Sequence, residues 1–182
     1  MIPKKEYIKY KNWALEYFNK SHVVIREDEK EKVEVADFGL SDLKNFCVMT
    51  LTFFNTERIS AKVIVVPPRR ICPEHWHPPV GNDPGKEEIM RLRWGTLYLY
   101  VEGEPTLYPK AILPEYRRKY FTVWHEIVMR PGDQYYFKPG IKHWFQAGDE
   151  GAVIDDYSTC SRDALDQFTD PDIVRIPVIK EE

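Results

Sequence analysis

Four side chains of this sequence have the types and the spacing of a metal site. His75 and His77 are separated by one residue, Glu88 follows His77 by eleven residues, and His143 lies further along the chain. Because a β-strand alternates its side chains, His75 and His77 would point to the same face of the strand that carries them. Three neutral imidazoles and one carboxylate can bind a divalent transition metal and leave positions for water or substrate. We therefore predict a metal centre made of these four residues.

The position of Glu88 gives this prediction separate support. Glu88 is in phase with Met90 and Leu92, an apolar pattern that indicates the interior face of a strand. A buried carboxylate without a partner would cost on the order of 1–3 kcal/mol, so Glu88 needs a cation. His143 follows a Pro-Gly turn, a suitable place from which to point a ligand inward. The alternative for the paired histidines is an ordinary polar strand face.

The elements that must position these residues are mainly β-strands. Apolar residues recur at helical spacing from Lys4 to about Lys20, which predicts an amphipathic helix that packs across one end of the molecule. Short β-like segments follow, separated by Pro- and Gly-containing turns, with no helical pattern between them. The predicted strands cover residues 33–38, 46–54, 61–66, 89–94, 96–101, 120–129, 134–137, 144–146 and 152–157. The fold class is therefore all-β, a barrel or sandwich with an N-terminal helix.

Length and composition predict one domain. We divide the 182 residues into a helical extension over residues 1–32, a barrel over 33–160 and a C-terminal tail over 161–182. A net charge of −3 gives no electrostatic case for nucleic acid or a membrane surface as partner, and no apolar run has membrane-spanning length. Three cysteines without a CxxC pair favour the reducing cytoplasm.

Glycines placed around the four ligands make the pattern more specific. Gly95 follows Glu88, while Gly132 and Gly140 precede His143. This arrangement resembles the two-part cupin signature, HxH…E…G and G…G…H, on a small β-barrel or jelly roll. The insertion between the second histidine and the glutamate is longer than the standard pattern, the proline of the second half stands one place late, and an alanine replaces a common asparagine. None of these departures removes a ligand.

A narrower resemblance covers more than half of the chain. The blocks CPEHWHPPV, GKEE, RWGTLYLYVEGE, VWHEI, KHWFQAG and FTDP are similar, in this order, to the D-lyxose isomerase branch of the cupins. The resemblance implies a metal-dependent sugar isomerase, usually a homodimer and typically activated by manganese. Such enzymes interconvert D-lyxose with D-xylulose and D-mannose with D-fructose.

The chemistry of this reaction suits the predicted residues. Aldose–ketose isomerisation moves a hydrogen between C1 and C2, and a divalent ion could hold the two attached oxygens and stabilise an enediol. Mn²⁺ suits a mixed imidazole and carboxylate shell, and Co²⁺, Zn²⁺ and Fe²⁺ are open alternatives. Removal of the weakly acidic C2 hydrogen as a proton also requires a base. Transfer of this hydrogen as a hydride is the other possibility.

Two residues are our candidates for catalysis. Lys86 precedes Glu88 by two and resembles the lysine that the family places beside its metal glutamate; it would hydrogen-bond the substrate and protonate or stabilise its oxygen. Asp156 stands where the family pattern has an acidic residue, expected as glutamate, and would accept the proton. Asp155 would point to the opposite face. The alternatives are an exposed loop lysine and a strand-end aspartate that caps a turn.

Two further residues are candidates for substrate contact. Arg175 resembles a C-terminal arginine of larger relatives, although a surface ion pair is the common role of such a residue. His125 could contact the sugar if its strand faces inward. Two other functions stay open at this point: an Fe²⁺-dependent cupin dioxygenase, which would consume oxygen, and a non-catalytic sugar-binding cupin, which would bind without turnover.

Overall fold

The molecule is a curled β-sheet with one long helix against it. The structure, a computed structural model, describes residues 1–181. In chain order its regular elements are β1 (Ile2–Pro3), α1 (Lys4–Lys20), α2 (Glu27–Lys30), β2 (Glu34–Ala36), β3 (Val48–Asn55), β4 (Ile59–Val66), β5 (Ile71–Trp76), β6 (Glu88–Val101), β7 (His125–Met129), β8 (Gln134–Phe137), β9 (His143–Thr159), β10 (Gln167–Phe168) and β11 (Ile179–Lys180). Single 3₁₀ segments cover Glu115–Tyr120 and Asp163–Leu165.

Strand β9 organises the sheet. Strands β2 to β10 form one nine-stranded sheet in which β10, β5, β9, β4, β3 and β2 are neighbours in that order, and β6 pairs with β7, β8 and β9. The first part of β9 lies between β5 and β6, and its second part lies between β4 and β6. Because one strand joins both parts, the sheet curls and encloses a cavity on its concave face. The all-β class and the N-terminal helix are confirmed.

Two glycines lie where β6 and β9 approach each other closely. Gly95 has φ +83° and a Cβ there would lie 2.1 Å from the carbonyl oxygen of Gly151, which itself has φ +94°. Both backbone conformations belong to the left-handed region that glycine tolerates best. The pairing register shifts on either side of Gly95, as expected for a β-bulge. A side chain at Gly95 would push the two strands apart, and one at Gly151 would collide with the ring of Tyr17 in α1.

Two apolar clusters lie on opposite faces of the same strands. On the convex face, Leu51, Val63 and Val153 are fully buried beneath Tyr17 and Phe18 of α1. On the concave face, inward residues form the second cluster and the cavity. The helix was predicted to pack across one end of the molecule; this was wrong, because its apolar side matches the broad convex face of β2, β3 and β4.

Several strand predictions need correction. The segments predicted at 89–94 and 96–101 form the single strand β6, and those at 144–146 and 152–157 both belong to β9, because pairing continues through the glycines. The segment predicted at 120–129 is a strand only from His125, since the backbone N–H groups of Thr122 and Val123 donate to the buried Glu74 carboxylate. A strand was expected to carry the paired histidines, but its bounds, those of β5, were not among the predicted segments.

The division into extension, barrel and tail stays a prediction. Within the predicted tail, β10 joins the main sheet through β5, and β11 pairs in parallel with β1 at the N-terminus. The last residue of the predicted tail lies outside the described residues. Over residues 1–181, none of the helices is long and apolar enough to cross a lipid bilayer.

Candidate active site

Three histidines converge on the concave face because the sheet register places them there. His75 is near the end of β5 and pairs with His143, the first residue of β9. His77 is the first residue after β5. All three side chains are buried, and one ring nitrogen of each lies within 4.8 Å of the others. The structure thus brings these three predicted ligands together as a group that could hold a metal ion.

The hydrogen bonds of the imidazoles show which nitrogens face the centre. Nδ1 of His75 lies 2.8 Å from the carbonyl oxygen of Pro73, and Nδ1 of His143 lies 3.0 Å from that of Ile141. A carbonyl oxygen only accepts, so Nδ1 carries the proton in both rings. Burial lowers the pKa of His75 well below its usual value and that of His143 to about 4, so both rings are neutral. Each therefore offers a lone pair on Nε2.

Glu88, the fourth predicted ligand, lies beside this group. Its Oε2 lies 3.0 Å from Nε2 of His77 and 3.8 Å from Nε2 of His143. These separations suit adjacent ligands of one ion when each metal–ligand bond is about 2.0–2.2 Å. Burial and Lys86 act to lower the pKa of His77, but Glu88 and Asp166 outweigh them and raise it. The residues present fit a divalent cation, because four donor groups lie at separations suited to one ion.

The loop between His77 and Glu88 folds back onto the site. Gly85 has φ +111° and a Cβ there would lie 2.6 Å from the carbonyl oxygen of His77. Lys86 follows, 7% exposed, and its Nζ donates to Glu88 Oε1 at 2.8 Å. Although burial opposes the charged form, Glu88 and Asp156 raise the pKa of Lys86 above its usual value. The alternative of an exposed loop lysine does not hold.

Asp156 lies in the middle of β9 with its side chain in the cavity. It pairs with Met90 of β6 on one side and with Lys62 of β4 on the other, and it is 2% exposed. Burial and Glu88 raise its pKa to about 8. Among residues 1–181, its Oδ1 is one of three buried side-chain atoms without a hydrogen-bond partner. Asp155 points to the opposite face and pairs with Arg93, as expected. Because Asp156 lines the cavity, the alternative of a strand-end aspartate that caps a turn is wrong.

The C-terminal tail supplies the remaining charged wall of the cavity. Arg175 is partly buried there and donates to Glu34 at 2.8 Å and to Asp163 at 3.1 Å. Asp163 also accepts two hydrogen bonds from Lys62 Nζ, at 2.7 and 2.6 Å. Sequence reasoning missed Asp163, Lys62 and Asp166. A lysine within the apolar run ISAKVIVV was the one available signal.

His125 is not brought to the other candidates. It is exposed on β7, its Nδ1 lies 3.0 Å from the carbonyl oxygen of Glu104, and it does not line the cavity. The cavity itself has a volume of about 60 Å³. Its charged residues face an apolar wall, which lets water be displaced when a ligand binds. The apolar wall consists of Ala36, Phe38, Val48, Ile64, Cys72, Met90 and Phe145.

Comparison with known structures assigns the fold. The structure of L-ribose isomerase from Cellulomonas parahominis superposes with a TM-score of 0.83 at 14% identity, covering 98% of both chains. That of Acinetobacter sp. DL28 L-ribose isomerase, in complex with L-ribose, gives 0.82 at 16% identity and the same coverage. No family model matches the chain. The chain thus has the cupin-like fold of these sugar isomerases.

Sequence relatives assign the family. The D-lyxose ketol-isomerase of a Thermofilum species is 53% identical over 166 residues, covering 91% of this chain and 92% of the relative. That of Cohnella laeviribosi is 51% identical over 165 residues, covering 91% of each. The D-lyxose/D-mannose isomerase of Thermosediminibacter oceani is 47% identical over the full length of both. The chain belongs to the D-lyxose ketol-isomerase family and is an isomerase.

Proposed function

We propose that this chain is a metal-dependent aldose–ketose isomerase that interconverts D-lyxose with D-xylulose and D-mannose with D-fructose. The observation that carries the proposal is the convergence of His75, His77, His143 and Glu88 in one buried cavity. The names of the sequence relatives support the two aldoses. The alternatives of a dioxygenase and a non-catalytic binding protein lose their basis, because the nearly full-length relatives are named as isomerases.

The metal we propose is Mn²⁺, held by the three Nε2 atoms and by Glu88. A mixed imidazole and carboxylate shell suits Mn²⁺, and Co²⁺, Zn²⁺ and Fe²⁺ would compete for the same residues. When bound, the ion supplies Lewis acidity toward the sugar carbonyl and stabilises the negative charge that develops during isomerisation. Lys86 and the backbone carbonyls behind His75 and His143 hold the ligands in their orientation.

The proton transfers fall to Asp156 and Lys86. Isomerisation requires a proton to leave C2 and another to arrive at C1, while the O2 proton is transferred to O1. Asp156 faces the cavity with a free buried oxygen, so we assign to it the removal and return of the carbon-bound proton through an enediol. One of the three N–H groups of Lys86 donates to Glu88, which leaves two donors for the sugar oxygens.

Arg175 is the proposed contact for the rest of the sugar. Its guanidinium is held by Glu34 and Asp163, and a planar group with five donors retains hydrogen-bonding capacity beyond two acceptors. The carboxylate of Asp163, already oriented by Lys62, would accept from a hydroxyl. His125 has no place in this proposal as long as the chain is considered alone, because it lies outside the cavity.

The decisive experiment restores metal to stripped protein. Protein freed of metal is incubated with D-lyxose or D-mannose, with and without Mn²⁺, and ketoses are separated by chromatography while dissolved oxygen is recorded. We expect D-xylulose and D-fructose only after Mn²⁺ is added, with no oxygen consumed. Glu88→Gln, which keeps the shape of the side chain but not its charge, should stay inactive. If Mn²⁺-loaded protein leaves both aldoses and both ketoses unchanged, the proposed reaction is wrong.

We also propose that the protein is a cytoplasmic homodimer. Its cysteines are free, which suits a reducing compartment. On the convex face, beyond the area covered by α1, cross-strand partners form a contiguous row of Tyr136, Ile89, Tyr157, Ala61 and Phe54. All of these except Ala61 are exposed, and exposed aromatic and apolar rows of this kind are enriched at protein interfaces.

The dimer surface can be tested by one charge. Tyr157→Glu should convert the dimer to a monomer in sedimentation velocity, because it would place a carboxylate in the centre of the row. Tyr108→Glu is the matched control, since Tyr108 is 88% exposed on a loop. A parent protein that sediments as a monomer at micromolar concentration would exclude the homodimer.

A further inference from the structure

One acidic residue of the C-terminal tail is held beside a metal ligand by the sheet itself. Asp166 lies between the 3₁₀ segment Asp163–Leu165 and β10. In the antiparallel pairing of β10 with β5, Gln167 stands opposite Trp76 and Phe168 opposite His75. Continuing this register by one residue puts Asp166 opposite His77. The backbone therefore fixes the approach of the two side chains.

The contact is close and differs from those of the other two imidazoles. Oδ1 of Asp166 lies 2.7 Å from Nδ1 of His77, and both side chains are at least nine-tenths buried. His75 and His143 donate instead to backbone carbonyls. Of the three histidines, His77 is the one whose Nδ1 faces a carboxylate. Because a carboxylate accepts, this contact favours a proton on Nδ1 and directs Nε2 toward Glu88 and the cavity.

The strand that follows Asp166 supports a second ligand. The ring of Phe168 in β10 stacks on that of His75, with centroids 5.5 Å apart and an angle of 29° between the planes. β10 and the residue before it thus contact two of the three imidazoles from behind. A carboxylate behind a metal-bound imidazole raises the basicity of the ligand nitrogen and fixes the orientation of the ring.

We propose that Asp166 is a positioning residue that sets the metal affinity of the site through His77. The inference rests on the proposed metal site and adds to it a determinant outside the barrel strands. Asp166 acts through the tautomer and basicity of His77, so its loss should weaken metal binding by about 10–100-fold. The other three ligands keep their own supports and should still bind the ion.

The test compares tail variants in their affinity for metal. Asp166→Ala and Asp166→Asn are stripped of metal, and the dissociation constants for Mn²⁺ and Co²⁺ are measured by competition with a chromophoric chelator. Asp172→Asn is the matched control, because Asp172 lies on the same tail but pairs with Arg117 at the surface. We expect about 10–100-fold weaker binding for Asp166→Ala, a smaller loss for Asp166→Asn, which keeps an acceptor oxygen, and a change under twofold for the control.

A second measurement separates positioning from a merely structural role. In ¹H spectra of the Zn²⁺-loaded protein, the chemical shift of the Nδ1–H proton of His77 reports its hydrogen bond to Asp166. We expect a strongly downfield Nδ1–H resonance in the parent and a smaller downfield shift in Asp166→Asn, a variant that should fold even if Asp166→Ala does not. A structural role would lower the melting temperature and leave both this resonance and the affinity unchanged.

The outcomes discriminate between the inference and the metal site on which it rests. Affinities of both Asp166 variants within twofold of the parent, while His143→Ala loses the ion, would overturn the inference and leave the metal site standing. A parent protein that binds neither Mn²⁺ nor Co²⁺ would overturn the metal site, and this inference with it.

Discussion

The two faces of the same β-strands perform different tasks in this molecule. On β3 and β4, Leu51 and Val63 point to the convex face and are completely buried under α1. Their neighbours Thr50 and Lys62 point to the concave face and line the cavity. All four side chains are buried, but a charged group, Lys62, stands only at one of the two concave positions. The comparison teaches that burial alone does not mark a core; the type of side chain at each alternate position separates packing from chemistry.

The largest expected effect is on the concave face. Lys86→Met replaces the ammonium by an apolar group of similar length, so it should lower the turnover number by about 10²–10⁴-fold while Mn²⁺ still binds. Steady-state kinetics on D-lyxose, together with metal analysis of the same sample, check this. Lys138→Met, a change at an exposed lysine, is the control. An unchanged rate would remove Lys86 from the mechanism.

The convex face should give the opposite result. Leu51→Ala removes a fully buried side chain beneath α1 and should lower the free energy of unfolding by about 2–5 kcal/mol, with activity per folded molecule unchanged. Urea denaturation followed by tryptophan fluorescence measures the first quantity. Thr50→Val, one residue away but in the cavity, should instead change KM with little loss of stability. If Leu51→Ala impairs catalysis at temperatures where it is fully folded, the separation of the two faces fails.

The smallest expected effect is at Asp163, a residue of the cavity that should also stabilise the fold. Although burial opposes ionisation, Lys62 and Arg175 hold the pKa of Asp163 well below its usual range. A carboxyl whose pKa is lower in the folded state stabilises the fold above its unfolded pKa of about 4, and this stabilisation is lost as the pH falls below that value. Asp163→Asn should therefore destabilise by about 1–3 kcal/mol at neutral pH and weaken the acid dependence.

Denaturation curves between about pH 3 and pH 7 test this last prediction, because this range includes the reference carboxyl pKa of about 4. Parent and Asp163→Asn curves should converge toward the acid end. Parallel curves across the whole range would show that Asp163 does not gain stability from its ionised form.

Sequence reasoning found the four candidate metal ligands because their signal is local. The spacing of His75 and His77 predicts side chains on one face, and Glu88 is in phase with an apolar stripe, so neither observation needs the tertiary structure. The resemblance to a known family added Lys86, Asp156 and Arg175, all of which the structure places in the cavity.

The missed residues depend on contacts that the local sequence does not specify. Asp166 reaches His77 only because β10 pairs with β5, and a two-residue strand has too short a pattern to be predicted. Asp163 meets Lys62 across 101 residues of chain. The same limit explains the strand errors: glycine usually ends a predicted strand, but Gly95 continues β6 through a bulge.

The central claim is that one divalent ion per chain, held by His75, His77, Glu88 and His143, is required for sugar isomerisation. The most direct measurement titrates stripped protein with Mn²⁺ and follows bound metal and D-xylulose formation from D-lyxose in the same samples. We predict that activity rises from zero in proportion to bound metal and reaches its plateau at one ion per chain. Full activity in protein shown to contain no metal would contradict the account.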